Sequence, residues 1–158
     1  MTWTPPSALE RLTLLREAKT IAIVGASDNP ARASYFVGTY LLSISNYTVW
    51  FVNPMSETVL GHKAYKSLAD LPAAPDIVDV FRKASDLPEV LDEAIAAHAK
   101  TLWLQLGISD DAIAERASEA GMNVVMNRCV KIEHARFNGG LHLAGFNTGV
   151  ISSRRQLS

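Results

Sequence analysis

Five short apolar runs punctuate the chain: TIAIVGA at 20–26, YTVWFVN at 47–53, DIVDVF at 76–81, TLWLQLG at 101–107 and NVVMN at 123–127. They are rich in Val and Ile and mostly continuous rather than alternating, the pattern of strands covered on both faces. Stretches of helical period separate most of them. Leu87, Val90, Leu91, Ala94, Ile95 and His98 follow the i, i+3, i+4, i+7 rule, and an acidic turn leads into Ile113, Ala117 and Ala120 before Gly121. Ahead of the first run, Ser7 stands three residues before Glu10, the spacing of a capping box, and Leu9, Leu12 and Leu15 share related faces of the helix it opens. Strand and helix in alternation predict an α/β fold: a single Rossmann-like, doubly wound domain with a five-stranded, mainly parallel sheet. Residues 1–19 are expected to pack on the domain as a helix, 20–137 to form the domain, and 138–158 to be a C-terminal extension without a clear period. Segment 54–75, with Pro54, Pro72 and Pro75, reads as loop with a brief helical turn near Ser67 to Leu71.

In an open parallel sheet, ligands bind outside the carboxyl ends of the strands, where the winding reverses. The turn after the first run therefore matters most. Gly25 permits close approach of a ligand, Ser27, Asp28 and Asn29 are turn formers, and Ser34 is placed to cap a helix carrying Val37, Tyr40, Leu41 and Ile44. Arg32 sets a cation beside backbone amides suited to a phosphate. A dinucleotide fingerprint asks for G-x-G-x-x-G and an acidic residue about twenty positions on. The chain offers GASDNP, and its second run ends in Asn53-Pro54. Both departures argue against a nicotinamide site, although an NAD(P)-dependent oxidoreductase is the competing reading of this architecture.

With a formal net charge of -1 and a pI of about 6.4, the chain has no global basic field to hold nucleic acid. Its single cysteine, Cys129, excludes an internal disulfide framework. The N-terminal stretch has neither the basic start nor the apolar core of a secretory signal, and no run reaches the length of a membrane span. A cytoplasmic protein is expected.

The segments VGASDNPARASYFV, FVNP, DIVDVFR, LWLQLGI and NVVMNRCVKIEH, in that order, resemble the stand-alone CoA-binding domain proteins. These are related to the CoA-binding domain of succinyl-CoA synthetase alpha subunits and of ADP-forming acyl-CoA synthetases. The resemblance spans about residues 15–137 and implies coenzyme A as the ligand. Carried over position by position, it places Gly25, Ala26, Ser27, Asp28, Asn29, Arg32 and Ser34 at the CoA phosphates, with Asn53 and Pro54 bordering the nucleotide. Phe81, Arg82 and Lys83 fall where the ligases have a proline-containing loop near the adenine, and two cations here replace that loop. Gln105, Gly107, Asn127 and Arg128 match turns toward the pantetheine path. In the ligases, acyl transfer also uses a phosphorylated histidine on a second domain and a partner that grasps ATP. The expectation is a CoA- or acyl-CoA-binding module without a complete catalytic apparatus, one that senses or presents its ligand, with a separately encoded protein as its candidate partner. A regulatory subunit with a vestigial site is the further alternative.

No catalytic or metal-binding set stands out. His62, His98, His134 and His142 share no metal-ligand spacing, and His98 reads as a residue near a helix C-terminus. Cys129 follows the fifth run between Arg128 and Lys131, which leaves three readings open: a buried or merely accessible thiol, a redox-reactive one able to link to CoA by a disulfide, or an acyl-enzyme nucleophile. VKIEHARF reads as a short terminal helix or an extended arm with Glu133 and Arg136 paired on its surface, Trp50, Phe51 and Trp103 read as core, and Arg154 and Arg155 as solvated tail.

Overall fold

The computed structural model describes residues 3–44 and 46–137. Helix α1 (Ala8–Glu17) precedes strand β1 (Thr20–Val24), helix α2 (Ala33–Leu42) and strand β2 (Thr48–Val52). Strands β3 (Thr58–Val59), β4 (His62–Tyr65) and β5 (Ile77–Val80) follow, and then α3 (Leu87–Ala96), β6 (Thr101–Leu104), α4 (Asp111–Glu119), β7 (Asn123–Val125) and α5 (Val130–Ala135). Ser7 closes a capping box with Glu10 at the start of α1, and the Asp110 carboxylate accepts from the Ile113 amide at the start of α4.

The sheet has seven strands in the order β3-β4-β2-β1-β5-β6-β7, two more than the expected five, and it is mixed. All neighbours are parallel except β3 and β4, which form an antiparallel hairpin at one edge. The extra strands lie in the segment read as loop. Their turn is Leu60-Gly61, with φ of 51° and 77°, the left-handed pair of a type I′ hairpin. Leucine at the first of these positions carries none of the usual Asn-Gly signal, and strands of two and four residues are too short to show a period. The brief turn expected near Ser67 to Leu71 is a 3-10 turn at Leu68–Asp70.

Both faces of the sheet are covered, which is why the strand runs are continuously apolar. On one face Val78, Val80, Leu102 and Leu104 pack against α3 and α4 through Val90, Leu91, Ala94, Ile113 and Ala117. On the other, Ile21, Ile23, Phe51, Ile77 and Trp103 meet Leu12 and Leu15 of α1, Val37 and Leu41 of α2, and Val130 of α5. Trp103 is fully buried and its indole N–H donates to the Arg128 carbonyl at 2.8 Å, so burial leaves no donor unpaired. Phe51 is core as well, whereas Trp50 is only half-buried.

Several local expectations are corrected. Leu9 is exposed while Arg11 is buried, because α1 turns the Arg11 guanidinium inward to Glu133, with Nε 2.6 Å from Oε1. Glu133 is therefore no surface residue. It is 3% exposed, and Arg136 lies only at its margin, 3.8 Å away. His98 is exposed two residues past α3 at φ 60°, outside the apolar face. Ser34 does not cap α2: Arg32 is the cap residue, without a side-chain bond, and Ser34 is buried in the first turn. The extension at 138–158, with His142, Arg154 and Arg155, lies outside the described residues. No described helix is long and apolar enough to cross a membrane.

Candidate functional site: a cleft across the strand ends

The winding reverses between β1 and β5, and there the loops after five parallel strands open on a cleft of about 880 Å³. Gly25 makes the close approach possible. Its φ is 88°, and a Cβ on it would stand 2.5 Å from the Phe81 carbonyl oxygen and 3.2 Å from the Arg82 Cδ, so the β1 and β5 loops touch only because no side chain is present. The β1 loop then folds on itself: Ser27 Oγ accepts from the Asn29 amide at 2.9 Å, and Asn29 Oδ1 accepts from the Ala31 amide at 3.0 Å. Asp28 turns away and accepts from the Leu60 amide, clamping the edge hairpin to this loop.

Asn53 joins the β1 and β2 loops. Its amide nitrogen donates to the Ala26 carbonyl at 2.9 Å, and its oxygen accepts from the Met55 amide at 2.7 Å. Where a nicotinamide site would place a ribose-binding acid, this chain places an internal strut. On the β5 side, Arg82 pairs with Asp86 at 2.9 Å and remains at the cleft wall, while Lys83 is exposed away from it. Arg32 reaches the cleft and makes no ion pair among the described residues. Beside it, Ala33 and Ser34 bring the first turn of α2 to the cleft, where a helix leaves its amides without internal partners.

Ten of the sixteen residues singled out from sequence line the cleft: Gly25, Ala26, Ser27, Arg32, Ser34, Asn53, Pro54, Phe81, Arg82 and Gln105. The other six do not. Asp28 and Asn29 build the loop, and Asn127, at φ 57°, accepts from the Gly107 amide at 2.7 Å to join the β6 and β7 loops. Arg128 faces Glu133 at 3.6 Å instead of the cleft. Met55, Leu106, Ile108 and Ile132 line the cleft and were not anticipated, because the first three sit in loops and Ile132 in a six-residue helix, none of which is long enough to carry a periodic signal. Cys129 lines it too, half-buried at the start of α5.

Two polar groups on the α1–α2–α5 side stand apart from the cleft lining. Tyr40 Oη and His134 Nδ1 share a hydrogen bond at 2.8 Å, and burial holds the imidazole below its ordinary range. Asp79, central in β5 between Ile23 and Trp103, is fully buried with neither oxygen hydrogen-bonded among the described residues, and burial pushes its carboxyl well above the usual range. Among the described residues no three His, Cys, Asp or Glu side chains gather as metal ligands.

The order of the strands and the place of the cleft define a Rossmann-like α/β domain with its ligand crevice at the topological switch point. The chain matches the CoA binding domain family over residues 19–135 and belongs to that family. It is 36% identical over 130 residues to the uncharacterized protein YneT of Bacillus subtilis, covering 82% of this chain and 96% of that one. A hypothetical protein from Pyrococcus horikoshii of known structure superposes with a TM-score of 0.81 at 38% identity, covering 88% of this chain and all of the other. The alpha subunit of an ADP-forming acetate–CoA ligase II from Pyrococcus furiosus is 28% identical over 130 residues; the match takes in 75% of this chain but only 28% of the subunit.

Proposed function

We propose that the cleft binds coenzyme A or one of its thioesters, and that the domain holds and presents this ligand without performing acyl chemistry itself. The observation that carries the reading is the gradient along the cleft of a chain that belongs to the CoA binding domain family. Ser27, Arg32, Ser34 and the first turn of α2 make one end polar and cationic, while Leu106, Ile108 and Ile132 make the far end apolar. A nucleotide diphosphate suits the first, where a guanidinium and helix amides face an anion. An extended, largely uncharged pantetheine arm suits the second. The lining runs from the β2 loop to the β7 loop across four strand spacings, about 19 Å at ~4.8 Å each, which calls for a long ligand rather than a compact one. The polar chemistry of the lining is that of binding: no nucleophile–base pair is in hydrogen-bond contact along it among the described residues. The relation to a ligase subunit in which such a unit is a minor part supports presentation to other protein parts.

Calorimetry and thermal unfolding with CoA, acetyl-CoA, NAD and NADP test the reading. CoA and acetyl-CoA are expected to bind and to raise the midpoint, with NAD inert. A response to NADP alone would overturn it and restore the oxidoreductase alternative.

A further inference from the structure

Three guanidiniums converge on one carboxylate on the α1–α5 side of the sheet. Arg11 satisfies Glu133 from α1: both side chains are buried, Arg11 Nε donates to Glu133 Oε1 at 2.6 Å, and Arg11 Nη1 donates to the Pro6 carbonyl at 2.9 Å. That pair is electrically closed. Arg128 and Arg136 approach the other oxygen, Oε2, with Nη1 at 3.6 and 3.8 Å, beyond hydrogen-bond distance, and their side chains are 42% and 49% exposed. Among the described residues neither meets another carboxylate, and the guanidinium hydrogen bonds belong to Arg11, Arg82 and Arg116. Two positive charges with uncommitted N–H donors therefore stand side by side on a chain whose formal net charge is -1. Neither these two arginines nor Arg11 and Glu133 line the cleft.

The backbone holds the two in place. The Arg128 carbonyl accepts from the Trp103 indole at 2.8 Å and its amide donates to the Leu104 carbonyl at 3.4 Å, while Arg136 caps α5 three residues beyond Glu133. Glu133, itself anchored to α1, draws both guanidiniums toward one point from beneath. Such restraint lowers the entropy cost of ordering two long side chains when a ligand binds.

We propose that Arg128 and Arg136 form a second anion site, which takes a phosphate dianion, either the free ion or the phosphate group of a small monoester. Charge and shape both select it. Arg11 already balances Glu133, so a dianion matches the two remaining cations, whereas a monoanion leaves one unmatched. Each guanidinium presents a planar fork of N–H donors. One fork occupies both oxygens of a carboxylate, whereas a phosphate has oxygens enough to meet both forks together. The anion sits on the solvent side of the forks, with Glu133 behind them. This site stands whatever the cleft holds.

Calorimetry at low ionic strength with inorganic phosphate, glycerol phosphate and acetate tests it on the parent chain, on Arg32→Ala and on Arg128→Gln/Arg136→Gln. One phosphate per chain is expected to bind Arg32→Ala, about ten-fold or more tighter than acetate, and to weaken by about ten-fold or more in the double variant, the worth of a charge-assisted contact. Arg136→Gln alone, at a half-exposed position, is expected to show the same loss with an unchanged circular dichroism spectrum. Glycerol phosphate binding tightens from about pH 5 to about pH 7, as the monoester loses its second proton near pH 6. Whichever phosphate binds more tightly identifies the ligand class, and either result supports the site. Phosphate binding lost in Arg32→Ala but kept in the double variant assigns the anion to the cleft and overturns the proposal, as does the absence of any preference over acetate. CoA is expected to bind the double variant as it binds the parent; a ten-fold loss there would make these arginines part of the cleft's own site and overturn a separate one.

Discussion

Gly25, Arg32 and Asp79 each do something that their residue type alone does not reveal. At Gly25 the positive φ and the 2.5 Å approach to the Phe81 carbonyl act together, so Gly25→Ala is expected to cost about 1–3 kcal/mol from backbone conformation alone. The clash adds to that, and urea unfolding measures the sum. Arg32 is exposed and makes no ion pair among the described residues, so Arg32→Ala is expected to leave stability unchanged while weakening CoA binding by roughly ten- to a hundred-fold, the worth of a charge-assisted contact, read by calorimetry. Unchanged affinity would place the guanidinium in solvent. Asp79 works in the opposite sense to most carboxylates. Its raised folded-state value means the native chain holds a proton that the unfolded chain releases above the ordinary value of 3.8, so this group lowers stability progressively as pH rises from there toward its folded value. Asp79→Asn, which cannot ionise, is expected to gain stability over the parent between pH 4 and pH 7, measured as the change in denaturation midpoint across that window. A parent and variant that track one another would show that Asp79 finds a partner in solution. DIVDVF announced a buried strand, but neither the depth of that aspartate nor its lack of a partner among the described residues follows from the run itself.

Among the elements, α1 and α5 illustrate how a tie between distant segments escapes a local reading. The capping box of α1 needs only Ser7 and Glu10, three residues apart, and it was legible for that reason. The Arg11–Glu133 pair joins residues 122 apart, and its Arg11 guanidinium also donates to the Pro6 carbonyl at 2.9 Å. Glu133→Ala would leave Arg11 buried without its counter-charge, and a loss of about 3–5 kcal/mol is expected from denaturant unfolding. Replacing both partners together, Arg11→Met with Glu133→Leu, is expected to recover most of that loss, since the penalty lies in the orphaned charge. The edge hairpin escaped notice for a related reason: its two strands are defined by a turn and by pairing with β2, and HKAY has no apolar period to announce it.

For the whole molecule, ligand binding is linked to folding. If the cleft exists only in the folded state, CoA at a hundred times its dissociation constant stabilises the protein by about 2.7 kcal/mol. For a chain of this size that is a rise of roughly 5–10 °C in the thermal midpoint by scanning calorimetry. A shift with CoA that persists in high salt would argue that the apolar arm, rather than Arg32, dominates binding. The sequence by itself determined the α/β class, the five strand segments from β1 to β7 outside the edge hairpin, the turn at Gly25 and the family, because each is written in contiguous residues whose period or spacing is local. Only the tertiary structure decided which loop residues face the cleft, that Asn53 and Asp28 are struts, that Gln105 ties the β6 loop to the Val130 amide, and that Glu133 is buried. Those facts depend on which way a side chain turns once distant strand ends meet, and a one-dimensional pattern of apolar and polar residues does not encode that direction.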